Sequence, residues 1–430
     1  MKIYNKLLLL VLVLLVSIPV LSQSFSTFSP YSRFGIGEIR SRGYANTKAL
    51  GGISQGVRNS TSINFLNPAT YTAQDTMSFI FDFGVEGTGV NYKTSNQANF
   101  NSGANLHHLA IQFPIAKWMG ASAGIQPYSN VGYRIKDYEM DPYLLSTIGP
   151  IQYYNQGSGG ITQSYFGLAF EPLKGFSVGA NMSYFFGAIE HTTETIFPAQ
   201  TPYKNFKRQN SVVVRDVAFS FGAQYAFAFG KEKDYKVVVG GTLDNETAIG
   251  AQNVLFISYP KKYADNNFVD TLTYEEYPKS TIDFPRNVSV GFTFAYKENF
   301  MIGADYSSQD WSNAKFLNVS DSLVRSNTLR VGLQLTPNPA DLRSYLKRIS
   351  YRAGFYYSNT SLKLRNNQIK DYGITFGVGL PFKRSNTTFN ISCELGQKGT
   401  LSNGLIQETY GVVNIGFTFY DFWFIKRKFN

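Results

Sequence analysis

Histidine, cysteine and long apolar runs are all scarce in this 430-residue sequence. It has three histidines (His107, His108 and His191) and a single cysteine, Cys393. A lone cysteine excludes an intrachain disulfide framework. So few histidines leave almost nothing from which to build a nucleophilic triad or a metal centre. His107 and His108 are adjacent, so on a regular strand they face opposite sides and cannot serve one metal or one base. Asp137, Glu139 and Asp141 have alternate-ligand spacing, but no matching Gly and Glu complete a calcium loop. No catalytic residue, metal ligand or cofactor is therefore assigned, and the chain does not read as an enzyme. After residue 21 no stretch approaches the ~18 consecutive apolar residues of a membrane-spanning helix.

What is present starts with a leader. Lys2 and Lys6 precede the apolar run Leu7 to Leu21, broken only by Ser17 and Pro19, and Ser22-Gln23-Ser24-Phe25 follows. About 15 apolar residues are short for a bilayer span, and these flanks are those of a cleaved secretory signal, here residues 1–22. No cysteine lies near the cleavage region, which argues against a lipid-anchored lipoprotein. Loss of the leader removes Lys2 and Lys6 from a formal net charge of +11. In an exported protein this basic balance does not point to nucleic acid. It suits loops and turns that meet outer-membrane lipid and lipopolysaccharide head groups. Lys204, Lys207 and Arg208 form one such basic cluster, read as part of an outer loop.

Aromatic residues make up 16% of the chain, with 36 Phe, 29 Tyr and 38 Gly. Residues 23–76 are irregular and rich in Gly, Ser, Asn and Arg. Beyond them, apolar and polar positions alternate, the signature of strands with one apolar face. In Val212 to Phe229, Phe219, Phe221, Ala223, Tyr225, Phe227 and Phe229 share one face, and Ser220, Gly222, Gln224, Ala226 and Ala228 share the other. Likewise Phe79, Phe81, Phe83 and Val85 oppose Ile80, Asp82, Gly84 and Glu86. The pattern predicts strands near 77–93, 104–113, 118–136, 161–171, 175–195, 211–230, 235–250, 284–297, 299–308, 326–336, 348–360, 369–382, 386–397 and 407–420. Connections after even-numbered strands are short, or Pro-rich around Pro337 and Pro339. Several after odd-numbered strands are long, as at 137–160 and 251–283. That parity, with about fourteen strands, belongs to a transmembrane antiparallel β-barrel with tight periplasmic turns and long outer loops, occupying residues 77–430. The all-β class and a multi-pass location in a bacterial outer membrane follow.

The last strand alternates Val412, Asn414, Gly416, Thr418 and Tyr420 with Val413, Ile415, Phe417 and Phe419, and runs into Phe422, Trp423 and Phe424. It resembles the terminal aromatic signal of outer-membrane proteins, although Lys426-Arg427-Lys428 and Asn430 follow it.

Two motifs precede the strands. Ala49-Leu50-Gly51-Gly52 and Thr61-Ser62-Ile63-Asn64-Phe65-Leu66 lead into Asn67-Pro68-Ala69. Pro ends regular pairing and Asn bonds nearby backbone, so this suits a compact turn. The pattern resembles the N-terminal hatch of FadL-like long-chain fatty-acid transporters. The resemblance implies a fourteen-stranded barrel plugged by its N-terminal segment, here residues 23–76. It also implies hydrophobic small-molecule cargo that passes through the lumen and leaves sideways into the membrane. Ser29-Pro30-Tyr31-Ser32-Arg33-Phe34-Gly35 resembles the start of a group of FadL-like proteins with no substrate attached to them. Its aromatics, Arg and Gly can wedge into a lumen or dock on a periplasmic protein partner. The function expected is passive uptake of hydrophobic molecules; the alternative is a non-transporting barrel subunit of an outer-membrane assembly or secretion complex. No ligand-binding residue is assignable at this level.

N-terminal sequencing of the protein recovered from outer membranes is expected to begin close to Gln23. A chain that retains Met1 to Leu21 would make the apolar run an anchor.

Overall fold

The computed structural model describes residues 27–423 except 41–42, 200, 264–265, 321–322 and 384, so the expected signal peptide and Lys426-Arg427-Lys428 lie outside the described residues. Where large apolar and small or polar side chains alternate, the chain is extended. The wall strands are β1 (Ser78–Lys93), β2 (Ala98–Ala116), β3 (Met119–Asn130, continued by Tyr133–Tyr138), β4 (Gln152–Leu173), β5 (Phe176–Ile196), β6 (Phe206–Phe229) and β7 (Tyr235–Asp244, continued by Thr247–Tyr263). They continue with β8 (Ser280–Phe284, then Asn287–Tyr296), β9 (Phe300–Asp310), β10 (Arg325–Leu335), β11 (Ser350–Leu364), β12 (Asn367–Pro381), β13 (Thr388–Gly399) and β14 (Gln407–Phe422). Each pairs antiparallel with the next. β14 returns to β1 over its whole length, from Ser78↔Phe422 to Lys93↔Gln407. The fourteen-stranded barrel is closed, as expected.

The two faces divide as the alternation requires. On β6, Phe219, Phe221, Tyr225, Phe227 and Phe229 are exposed, while Gly222 and Gln224 are buried. At the turn end, rings gather into a belt: Phe79 stacks on Trp423 at 4.2 Å, and Tyr235 contacts Phe229 at 5.4 Å and Tyr296 at 5.1 Å. Such rings suit the boundary between hydrocarbon and water.

Several expected boundaries shift. The strand expected at 118–136 breaks after Asn130. The expected loop 137–160 contains the end of β3, the helix Pro142–Thr147 and the start of β4. The expected loop 251–283 holds a hairpin, in which Asn266–Glu276 pairs with the outer part of β7. Beyond the hydrocarbon a hairpin needs only backbone pairing, so no apolar alternation marks it. For the same reason Lys207 and Arg208, expected in a loop, stand on β6 opposite Glu194 and Thr193.

Residues 27–76 touch strands all round the barrel from within. Their backbone is irregular, so its polar groups need partners other than a ladder. The inner face supplies them. Asp305 Oδ2 on β9 accepts from the backbone N–H groups of Ser54 at 2.6 Å and Gln55 at 2.9 Å. Thr375 Oγ1 on β12 accepts from Gly51 N at 2.8 Å, and Asn181 Nδ2 on β5 donates to Phe65 O at 2.9 Å. Ile53, Ile63, Tyr44 and Tyr71 are fully buried here, each worth about 1.5–3 kcal/mol of apolar burial.

Glycines on the inner face let the segment approach. A Cβ at Gly222 would come 2.2 Å from Asn67 Oδ1, at Gly179 2.6 Å from the Pro68 carbonyl carbon, and at Gly354 2.1 Å from Gly51 N. Each of these would force backbone or a rigid ring to move. Gly179→Val and Gly222→Val are therefore expected to undock residues 58–76. Trypsin should then cut after Arg58 in folded, detergent-solubilised barrel where the wild type resists; equal protection would refute the close fit.

Candidate functional site

The strand ladder is interrupted in one region of the wall. β2 and β3 pair only between Leu109↔Ile125 and Ala116↔Met119. Above Leu109, β2 runs on to Ala98 paired with β1 alone. β3 leaves it near Pro127, which has no N–H to extend a ladder, and its register against β4 slips between Pro127 and Ser129. On β4, Gly159 has φ +93°, and a Cβ there would sit 2.1 Å from Ala188 O, so only glycine fits the bend.

The N-terminal segment covers the diverging strand. Ser129 and Asn130 of β3 pair with Ile39 and Glu38 of a two-residue strand, Glu38–Ile39. Phe28 lies inside the gap, its ring 3.6 Å from where a Gly103 Cβ on β2 would be. Behind this opening is a cavity of about 380 Å³. One side is apolar, with Phe34, Ile36, Tyr128, Trp311 and Leu323. Tyr128 belongs to a buried cluster with Phe185, at 4.9 Å between ring centres, and Phe284, at 5.4 Å.

The opposite side is charged. Glu86 of β1 accepts from Arg40 at 2.9 Å and from Lys48 at 2.5 Å, and Lys48 also donates to Asn414 at 3.2 Å. Lys398 of β13 donates to Glu38 at 2.7 Å, and Thr27 Oγ1 donates to the same carboxylate at 2.9 Å. Burial opposes charge on Glu38, but the Lys398 ammonium and the Arg40 guanidinium outweigh it, and its carboxyl is held below the usual range. Ser29 Oγ donates to Glu408 at 2.6 Å, Tyr356 to Glu394 at 2.8 Å and Tyr410 to Asp371 at 2.6 Å. The Tyr356 and Tyr410 hydroxyls also bond each other.

Both expected motifs are buried, at opposite ends of the barrel. Asn67 caps the 3-10 helix Pro68–Ala73: its Oδ1 accepts from Ala69 N at 3.2 Å and its Nδ2 donates to Gln55 O at 3.0 Å. Pro68 is the first residue of that helix, against β5 and β6 near the turn end. Pro30, Tyr31, Ser32 and Arg33 form a 3-10 turn at the loop end. Tyr31 bonds Ile406 O, and burial first, then Glu408, push its hydroxyl up to about 12. Gly132 N donates to Ser32 Oγ at 3.0 Å. Ser29, Tyr31 and Ser32 are buried, Phe34 and Gly35 half-buried, and only Arg33 is exposed. Of the two roles weighed for this motif, these contacts fit insertion into the lumen.

The two adjacent histidines do not face opposite sides. A bulge sets Gly84 opposite His108 and Val85 opposite Leu106, leaving His107 as the extra residue. Both rings turn inward, with their Nδ1 atoms 2.9 Å apart and His108 Nε2 2.7 Å from Asp82 Oδ1. A bulge resets the two-residue period, which adjacency in sequence cannot show. The charged residues Arg40, Lys48, Glu86, Lys398 and Glu408 escaped the sequence reading; the one signal was that Asp82 and Glu86 stand opposite the Phe face of β1.

Lys48 and Glu86 are 3% and 5% exposed. Breaking such a buried pair from one side costs on the order of 3–5 kcal/mol. Arg40 remains beside Glu86, so Lys48→Met should fall near the lower figure, whereas Glu86→Leu, which takes the carboxylate from both Lys48 and Arg40, should cost more. Midpoints of urea unfolding in detergent test this; equal midpoints for wild type and Lys48→Met would refute it.

The chain resembles a Pseudomonas aeruginosa FadL homologue, with TM-score 0.59 at 12% identity over 90% of this chain and 100% of that one. It resembles the Pseudomonas putida toluene transporter TodX, with TM-score 0.58 at 14% identity over 90% and 99%. It also resembles the Ralstonia pickettii toluene transporter TbuX, with TM-score 0.58 at 11% identity over 88% and 98%. At these identities the likeness shows a shared FadL-type barrel. No curated protein matches the sequence. A family model described as BamG matches residues 4–430, and the chain belongs to the BamG family.

Proposed function

We propose that this chain is an outer-membrane channel of FadL type for the passive uptake of small hydrophobic molecules, with residues 23–76 as its plug. The observation that carries the reading is the interrupted β2–β3 ladder, backed by a cavity with one apolar wall. A molecule that enters the cavity from the loop end exposes less apolar surface to water than it would in solution, and the opening gives it a lateral way into hydrocarbon. Phe28 and the Glu38–Ile39 strand cover that way. The toluene transporters of the same architecture supply the substrate class by analogy. No catalytic step is involved. The closed ladder and the lipid-facing rings agree with an outer-membrane location crossed by strands.

The second reading, a non-transporting subunit of an outer-membrane assembly or secretion complex, is the less favoured of the two and starts from how the N-terminal segment is held. Hydrogen bonds and buried ion pairs tie the N-terminal segment to the inner wall. A barrel that needs only a rigid outer surface would be built this way.

Liposomes holding the purified barrel should take up labelled toluene faster than protein-free liposomes, and Phe28→Ala should speed uptake further. Uptake at the protein-free rate by both proteins, with another outer-membrane protein co-purifying in fixed ratio, would replace the channel reading by the second.

A further inference from the structure

The wall of the cavity carries charge opposite in sign to the protein as a whole. The chain is basic, at +11, yet the cavity is lined by six carboxylates, counted among the described residues, and four cationic side chains. The excess is concentrated in one row. Asp371 of β12 pairs with Lys398 of β13, Lys398 with Glu408 of β14, and Glu408 with Tyr92 of β1. These four positions stand side by side across four adjacent strands. The single cation of the row, Lys398, is already bound to Glu38 at 2.7 Å. Among the described residues Asp371 and Glu408 accept hydrogen bonds only from hydroxyls, Tyr410 to Asp371 Oδ1 and Ser29 to Glu408 Oε1. Each carboxylate has a second oxygen that no described residue bonds.

Tyr92 supplies an independent observation. Its side chain is 8% exposed and lines the cavity, and its hydroxyl has no hydrogen-bond partner among the described residues. A buried hydroxyl without a partner costs about 1–3 kcal/mol, so its place in the row points to a group that it meets there. On the turn side of the row, glycines make room for the two bonded phenols: a Cβ at Gly396 would lie 2.5 Å from Tyr410 Cζ.

We infer that this row is a binding site for a small organic cation, a primary amine on an aromatic or short alkyl body. An ammonium has three N–H donors and no acceptor. The unused oxygens of Asp371 and Glu408 and the hydroxyl oxygen of Tyr92 are three acceptors on neighbouring strands. The apolar body would lie toward Tyr128, Trp311 and Phe34. Hydrogen bonds from a cation to carboxylates are stronger than neutral ones, so the charged end sets specificity and the apolar wall adds only size preference. For the entry of the ligand this inference rests on the channel reading; binding to purified protein does not.

Calorimetric titration of the full barrel in detergent with benzylamine, toluene and benzoate tests it. The three probes share one ring, so they separate charge from apolar fit. Benzylamine should bind at least about tenfold more tightly than benzoate, a difference of roughly 1.4 kcal/mol, and more tightly than toluene. Asp371→Asn and Glu408→Gln should each weaken benzylamine severalfold and leave toluene unchanged, and Tyr92→Phe should do so to a smaller extent. Benzylamine binding no tighter than benzoate or toluene, or absent, overturns the inference, as does binding that both carboxylate variants leave intact. If a variant fails to fold, the order of the three probes on the wild type still decides. Toluene uptake with no amine binding would sink this inference alone, and amine binding without toluene uptake would sink the channel reading alone.

Discussion

Inside hydrocarbon no water is available to pair a backbone N–H or C=O, so every strand of a membrane-spanning sheet must find a neighbour within the chain. The rest of this structure depends on that constraint. It explains why β14 returns to β1 along the full length of both strands, and why the wall closes instead of ending in an edge. It also makes the gap between β2 and β3 informative. A ladder that stops at Leu109↔Ile125 leaves backbone groups to be paired in another way. On the β3 side that partner is Glu38–Ile39, a strand taken from the same chain's N-terminal segment.

The alternation that builds the wall gives each strand an outer face for lipid and an inner face for protein. On β6 the outer face is a column of Phe and Tyr, and the inner face is Gly222 and Gln224. The inner face then has to satisfy an irregular segment, which brings unpaired N–H and C=O groups with it. Glycines let the backbone approach, and side chains such as Asp305, Thr375 and Asn181 pair its polar groups. The charged pairs serve the same fit: the two-residue period turns Glu86 to the lumen, and Arg40 and Lys48 meet it there. Without these partners, two buried cations and a carboxylate would each bear several kcal/mol of desolvation.

The parts of this architecture legible in the sequence are those set by local period. All fourteen strands can be placed from alternation, and most connections by their length; the short link from Leu364 to Asn367 at the loop end and the long one from Leu335 to Ser350 at the turn end break that rule. The face of Phe219 to Phe229 is correct because lipid demands apolar residues at every second position. The rest depends on register between distant segments. His107 and His108 share the inner side because a bulge at Gly84 and Val85 inserts one residue, and nothing at those positions announces it. The Lys48–Glu86 pair joins a short helical turn to a strand, and it becomes visible only when the turn is placed inside the barrel. The break in the wall has one sequence trace, Pro127, and a proline alone fits a turn or an edge equally well. The outer hairpin at Asn266–Glu276 carries no local period to read, since residues 270–276 are almost all exposed and need no apolar face.

One residue ties the opening to the charged row. The backbone of Glu38 pairs with Asn130 where β3 leaves the wall, and its carboxylate holds Lys398 between Asp371 and Glu408. Lifting the Glu38–Ile39 strand off β3 would therefore also strip Lys398 of its partner. Lys398 would then be drawn to the carboxylates beside it, and the row would lose its excess of negative charge. Arg40, one residue past the strand, adds a second tether through Glu86. The strand that covers the opening and the charge that would hold a cation are thus two ends of a single contact.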